Sequence, residues 1–112
     1  MNELTAVLPT LNAAEKLADS LAALRGNVAG AVIADGGSTD ATRAIAEAAG
    51  ARILTAPRGR GSQLAAGTAA VTTPWLLVLH ADTRPGPGWQ DAARAFMADP
   101  ANARRAAFFR FA

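Results

Sequence analysis

The residues best suited to chemistry in this chain stand where its apolar runs end. "LTAVLP" at 4–9 passes into "PTLN", "GAVIAD" at 30–35 into "DGGSTD", "ARIL" at 51–54 into "APRGRG", and "PWLLVLHAD" at 74–82 closes on His80 and Asp82. A carboxylate at a strand end can hold a divalent cation, since magnesium or manganese is commonly bound by one or two carboxylates while diphosphate oxygens fill other positions. Successive side chains of an extended strand alternate faces, so His80 and Asp82 are expected on one side and Ala81 on the other. Asp82 has a second reading, as the cap of a turn with Thr83 and Pro85. His80 taken alone reads as a structural hydrogen-bonding group.

"DGGSTD" at 35–40 joins a strand-end carboxylate to two glycines that permit positive φ and to Ser38 or Thr39 as a helix N-cap. A helix N-terminus attracts phosphate, but the charge of Asp35 opposes an anion beside it, so Asp35 is expected to hydrogen-bond a base or a ribose. Asp40 falls in the first turn of that helix, where the dipole favours an acid. "PRGRGSQLAAG" at 57–67 partly matches the dinucleotide pattern G-x-G-x-x-G. The match fails at Leu64 and follows the third strand rather than the first, which argues against a nicotinamide site. Arg58 and Arg60 instead form a cationic loop able to neutralise a diphosphate. Either arginine taken alone also reads as a solvated surface residue.

Between the apolar runs lie Ala- and Leu-rich stretches of helical length, 13–25, 39–49 and 62–71, so strand and helix alternate. This alternation predicts parallel strands with right-handed crossovers, the α/β class, in which ligands bind beyond the carboxyl ends of the strands. Asn12 and Glu15 have the spacing of a capping box, and Gly26 and Gly50 stand where helices should stop. "PGPGW" at 85–89 is a turn, and 89–98 is a further helix. "RRAAFFRFA" ends the chain in a strand-like segment whose three phenylalanines call for a partner or a continuation to bury them. Self-association or partner association through these aromatics is therefore expected.

The 112 residues, 1–112, fit one domain or a large piece of one, and an apolar share of 51% allows a sizeable core. A net charge of +2 with scattered basic residues, close together only at Arg58/Arg60 and Arg104/Arg105, excludes a nucleic-acid stripe. The absence of cysteine excludes disulfides and thiolate zinc sites. No basic leader and no apolar run of membrane-spanning length is visible, so a cytoplasmic protein without a transmembrane segment is expected.

Taken in order, "PTLN", "DGGSTD", "PRGRGSQLAAG" and "LHADT" resemble the nucleotide-sugar site of bacterial family 2 glycosyltransferases of the GT-A fold, over roughly residues 4–89. The variant is most similar to the subgroup labelled radical-SAM/selenodomain-associated transferases. The resemblance implies a GT-A-like (Rossmann-like), mostly parallel sheet with helices on both faces, incomplete at the C-terminus. It implies transfer of a sugar from a nucleoside-diphosphate donor to an unknown acceptor, with inversion and with a divalent Mn2+ or Mg2+ ion. Asp82 would contact the metal, and His80 falls near the ribose, where the family usually has an acid. Pro9 and Thr10 would border the base, Asn12 and Glu15 would support that wall, and Asp35 would approach the nucleoside. Gly36 replaces the second of two adjacent acids common in the family, and Arg58 and Arg60 would face the diphosphate. The acceptor half and its carboxylate base are expected beyond Ala112.

Rival readings remain open beside this one. The chain fits a catalytically inactive, truncated module that holds a nucleotide or a partner by the same face. A nucleotidyltransferase would open with a glycine-rich phosphate loop where "PTLN" stands. A phosphatase with an aspartyl nucleophile would need D-x-D where "HAD" supplies one carboxylate.

Overall fold

The computed structural model of the chain describes residues 2–107. The phenylalanines of the expected strand-like tail, and the association expected of them, lie outside the described residues.

Four strands, β1 (Leu4–Thr10), β2 (Gly30–Asp35), β3 (Arg52–Thr55) and β4 (Trp75–Val78), alternate with helices α1 (Ala14–Leu24), α2 (Thr42–Ala48), α3 (Arg60–Ala69) and α4 (Trp89–Ala98). The strands form one sheet in the order β3-β2-β1-β4, and every neighbouring pair is parallel. The expected α/β class and the 89–98 helix are both present. β1 lies inside the sheet and is buried on both faces, which is why its sequence is apolar without strict alternation.

The two faces are covered differently. Leu4, Ala6 and Leu8 point to a cluster with Leu17, Leu21 and Leu24 of α1, Ile33 of β2, Ala46 of α2 and Trp89 of α4. Leu8, Leu17, Leu24 and Ile33 are fully buried, and each stabilises the fold by about 2 kcal/mol relative to exposure. On the opposite face α3 packs against β1 and β2. A Cβ built on Gly67 would stand 2.6 Å from Val7 Cγ1, so only glycine permits this approach. Among the described residues β4 is an edge strand. Its Trp75 and Leu77 pack toward the α1 side, and Trp75 meets Phe96 of α4 edge-to-face at 5.7 Å. Leu76 and Val78, on the α3 side, stay 40% and 46% exposed.

α1 and α2 are followed by Gly26 and Gly50 at positive φ, as their sequence positions predict. Two starts differ from expectation. α2 begins at Thr42 rather than 39 because the loop 36–40 spends its polar groups on Asp35 and on the loop after β1. α3 begins at Arg60, so this arginine belongs to a helix and not to a free loop. β4 ends at Val78, and Leu79 N–H extends the ladder by one bond to Val7 O at 3.1 Å. His80 and Asp82 therefore follow the strand instead of ending it.

Candidate functional site at the β1/β4 switch point

The chain leaves β1 toward β2 on one side, and β4 returns to its other side, so the strand order reverses between β1 and β4. In open parallel sheets a crevice forms beyond the carboxyl ends at such a point. A cleft of about 370 Å³ opens there, lined by Pro9, Leu11, Asn12, Ala13, Glu15 and Lys16 after β1 and by His80, Ala81 and Asp82 after β4. His80 and Asp82 are exposed whereas Ala81 is buried, its carbonyl accepting from Ser20 Oγ at 2.7 Å. Exposure alternates along "HAD" as expected, but in a turn closed by Thr83 N–H to His80 O at 3.0 Å and not in an extended strand.

Asp82 is an exposed carboxylate on the cleft wall, with a long contact of 3.4 Å from Thr83 Oγ1. Its oxygens are thus available to a hard cation. Arg60 Nη2 lies 3.4 Å from Nε2 of His80, and as donor to acceptor this requires the imidazole proton on Nδ1. Arg60 therefore stands beside the cleft through His80. Arg58 is exposed in the bend before α3.

Three of the expected site residues are turned inward. Asp35 has no exposure and accepts four hydrogen bonds: Thr10 Oγ1 at 2.8 Å, Ser38 Oγ at 2.6 Å, Ser38 N–H at 2.9 Å and Gly37 N–H at 3.2 Å. Arg43 Nε adds an ion pair at 3.9 Å. Burial pushes this carboxyl up, but the hydrogen bonds from Ser38, Thr10 and Gly37 together hold it below its ordinary value. Asp35, expected to hydrogen-bond a base or a ribose, instead has its acceptor positions taken by Thr10 of β1 and by its own loop. Thr10 likewise gives its hydroxyl to Asp35 and is buried rather than lining the cleft. Gly36 is buried under Gln63 and donates its N–H to Thr10 O at 3.0 Å.

Asn12 and Glu15 do line the cleft, but not as a capping box. The residue capping α1 is Ala13, and no side chain of the helix's own entry caps it. Instead the loop after β2 reaches across. Ala13 N–H donates to Thr42 Oγ1 at 2.8 Å and Ala14 N–H to Asp40 Oδ2 at 3.2 Å. Asn12, at φ 51, gives its N–H to Ser38 Oγ at 2.9 Å and accepts from Thr39 N–H at 2.8 Å. Asp40 also accepts from the hydroxyl and N–H of Thr42, which hold its carboxyl below the ordinary value.

Two residues escape the reading by motif. Lys16, the chain's single lysine, lies on the cleft wall one turn into α1. Gln63 is 5% exposed, and its amide bonds the ends of β1 and β2. The signal for Gln63 was its four-residue spacing from Gly67, which puts a polar and a minimal side chain on the helix face that meets the sheet.

Among the described residues no group of three or more His, Cys, Asp or Glu gathers to hold a metal. A cation at this cleft would rest on Asp82, with His80 nearby, and would need oxygens from a ligand. That donor set suits Mg2+ or Mn2+, which keep waters and phosphate oxygens in their shell. Among the described residues no helix is long and apolar enough to cross a membrane.

Comparison with known proteins follows the same outline. The sequence profile described as glycosyl transferase family 2 matches residues 5–104. Uncharacterized glycosyltransferases of Mycobacterium tuberculosis and Mycobacterium bovis are each 43% identical over 79 residues, covering 70% of this chain and 36% of theirs. The fold is similar to that of glucosyl-3-phosphoglycerate synthase from Mycobacterium tuberculosis. In its complex with Mn2+, uridine diphosphate (UDP) and glucosyl-3-phosphoglycerate the TM-score is 0.72 at 24% identity, covering 86% of this chain and 39% of that one. In its complex with Mn2+, UDP-glucose and phosphoglyceric acid the values are 0.70 and 26%, with the same coverage. The chain thus spans well under half the length of the proteins it matches.

Proposed function

The chain belongs to glycosyl transferase family 2, and from that premise we propose that its β1/β4 cleft receives the diphosphate of a nucleoside-diphosphate sugar, the donor in a sugar transfer. The observation that carries this reading is the convergence, at the switch point of a parallel sheet, of an exposed acid, Asp82, with Lys16 lining the same cleft and Arg60 beside His80. An anionic leaving group needs such charges around it, because its negative charge grows as the bond to the sugar breaks. The binding of Mn2+ and UDP by the similar synthase supports the same assignment.

In this reading Asp82 would hold a divalent cation at the donor's diphosphate. When bound, Mn2+ or Mg2+ supplies Lewis-acid stabilisation of the departing diphosphate. Lys16 and Arg60 contribute fixed positive charge, and Arg58 adds to it from the bend before α3. Pro9, Leu11 and Asn12 form the wall toward the nucleoside, with Glu15 behind them, and His80 faces the ribose. Asp35, Thr10 and Gly36 act beneath that wall by keeping the two loops in place. Inversion at the sugar carbon requires a base on the acceptor side, and acceptor activation is left to the remaining length that the relatives possess.

A second reading, a module that binds a partner instead of turning over a sugar, is favoured by the exposed Leu76 and Val78 on the open side of β4. One experiment separates the two. Thermal unfolding is followed with UDP, GDP, ADP and UDP-glucose, each with and without Mn2+, for the chain and for Asp82→Asn. A ligand at about a hundred times its Kd adds roughly 2.7 kcal/mol, which raises the Tm of a domain this size by about 10 °C or more. Mn2+-dependent stabilisation that disappears in Asp82→Asn supports donor binding. Stabilisation by none of the nucleotides overturns it in favour of the partner module.

A further inference from the structure

Gln63 is a polar side chain on the one face of α3 that meets the sheet, and its hydrogen-bonding capacity is spent on three separate segments. Its Nε2 donates to Thr10 O, the last residue of β1, at 2.8 Å and to Ala34 O, near the end of β2, at 2.9 Å. Its Oε1 accepts the N–H of Gly59 at 3.1 Å. Gly59 immediately precedes Arg60, which opens α3 and reaches His80. Packing alone would be met by Leu or Met at this position, whereas an amide with both ends bonded ties the start of α3 to the strand ends.

We propose that Gln63 is a positioning residue that holds Arg60 at the cleft by fixing the turn at Gly59 to the ends of β1 and β2, with Gly36 as its obligatory neighbour. A Cβ at Gly36 would stand 2.8 Å from Gln63 Oε1 and 2.9 Å from its Cδ, so a side chain at 36 requires the amide to shift from its place. The two residues therefore form one device: the glycine makes room, and the amide fills it. The consequence for ligand binding rests on the donor reading above; the consequence for Arg60 and His80 does not.

The test uses Gln63→Met, Arg60→Ala, Gly36→Ala and the pairs Gln63→Met/Arg60→Ala and Gln63→Met/Gly36→Ala, with two readouts. The first needs no ligand. His80 is the single histidine of the chain, so its ring resonances in a ¹⁵N–¹H spectrum are unambiguous. They shift in Arg60→Ala and in Gln63→Met, and Gln63→Met adds no further shift once Arg60 is gone. Gly36→Ala reproduces the shift of Gln63→Met and is silent in the Gln63→Met background.

The second readout is calorimetric binding of UDP and of uridine with Mn2+. Gln63→Met and Arg60→Ala each weaken UDP by roughly tenfold, the double variant is no weaker than Arg60→Ala, and uridine is unaffected. His80 resonances that move in Arg60→Ala but stay in place in both Gln63→Met and Gly36→Ala overturn the proposal. So does a double variant in which the two losses multiply to about a hundredfold, or an equal loss of uridine, either of which marks a general structural role. If the unaltered chain binds none of UDP, GDP and ADP, the donor reading falls, and the His80 spectra alone decide the role of Gln63; if it binds GDP or ADP instead of UDP, that nucleotide and its nucleoside replace UDP and uridine in this readout.

Discussion

Thr10 and Asp35 are register partners at the carboxyl ends of β1 and β2, and the Thr10 hydroxyl donates to Asp35 Oδ1 at 2.8 Å. The bond turns a strand-end carboxylate, the type of group that most readily suggests ligand contact, into the internal fastening of a loop. From Asp35 the order passes to Ser38, from Ser38 to Asn12, and from Asn12 to the cleft wall. The acid that remains open to the cleft from a strand end is Asp82, on the far side of the switch point.

Acid should loosen this fastening. The folded carboxyl of Asp35 lies below its unfolded value, since the hydrogen bonds it accepts outweigh the cost of burial. Its contribution is therefore complete above the unfolded pKa, near pH 4, and is lost as the pH falls through the folded value. Urea unfolding from pH 7 down to about pH 2 should show wild-type stability falling in this limb. Asp35→Asn should begin about 2 kcal/mol lower at pH 7, because an amide cannot accept from all four donors, and should fall less steeply. Asp40 retains its share of the slope in both proteins. Parallel curves for the two would rule out Asp35 as the source.

Asn12 makes two separable contributions. Its φ of 51 is tolerated by Asn and Gly but costs other residues about 1 kcal/mol, and its Oδ1 bridges to Thr39. Asn12→Ala should lose about 2 kcal/mol and Asn12→Gly about 1 kcal/mol, since glycine restores the backbone but not the bridge. Denaturant midpoints compare the two. Equal losses would assign everything to the bridge.

Much of this architecture is legible from local pattern, and most of what is not depends on groups distant in sequence. Apolar runs, Ala- and Leu-rich intervals and the glycines at 26 and 50 are neighbours in sequence, so the alternation of strand and helix and the polar strand ends can be read directly. The Asn12–Glu15 spacing suggested a cap, but the groups that satisfy Ala13 and Ala14 come from Thr42 and Asp40, more than twenty residues away. Asp35 differs: three of its four hydrogen bonds come from Gly37 and Ser38 beside it in sequence, and only Thr10 is distant in sequence and adjacent in the sheet. The role of Gln63 is visible only where α3 lies on β1 and β2. Glycine at 36, a departure from the family's usual acid, then acquires a steric reason in the Gln63 amide.

The contact of α3 with the sheet can be tested by overfilling it. Alanine at position 67 would gain about 1 kcal/mol of helix propensity, but its Cβ would lie 2.6 Å from Val7 Cγ1 and 3.3 Å from Ala34 Cβ. The clash should win, with a net loss of about 1–2 kcal/mol. Val7→Ala leaves a cavity and is destabilising by itself. The pair Gly67→Ala/Val7→Ala should lose at least about 1 kcal/mol less than the sum of the singles, because each change removes the other's fault. Additive losses in urea unfolding would mean that α3 shifts bodily and the tight approach is not a constraint.

Lys16 and Asp82 line the same cleft and should fail in different ways. Neither side chain is buried, so Asp82→Asn and Lys16→Ala should each alter unfolding free energy by no more than about 0.5 kcal/mol. Removing the carboxylate should abolish the Mn2+-dependent part of UDP affinity, a loss of roughly tenfold or more, while leaving the weak metal-free binding intact. Removing the ammonium should weaken UDP severalfold with or without Mn2+, and that effect should shrink as salt rises from about 0.05 M to 0.5 M, since the contact is exposed and screened. Titration calorimetry at both salt concentrations, with Mn2+ present or chelated, checks all four arms. Binding in Asp82→Asn that still responds to Mn2+ would remove this acid as the metal's anchor, and a Lys16→Ala protein indistinguishable from the original would confine the cationic role to α3 and the bend before it.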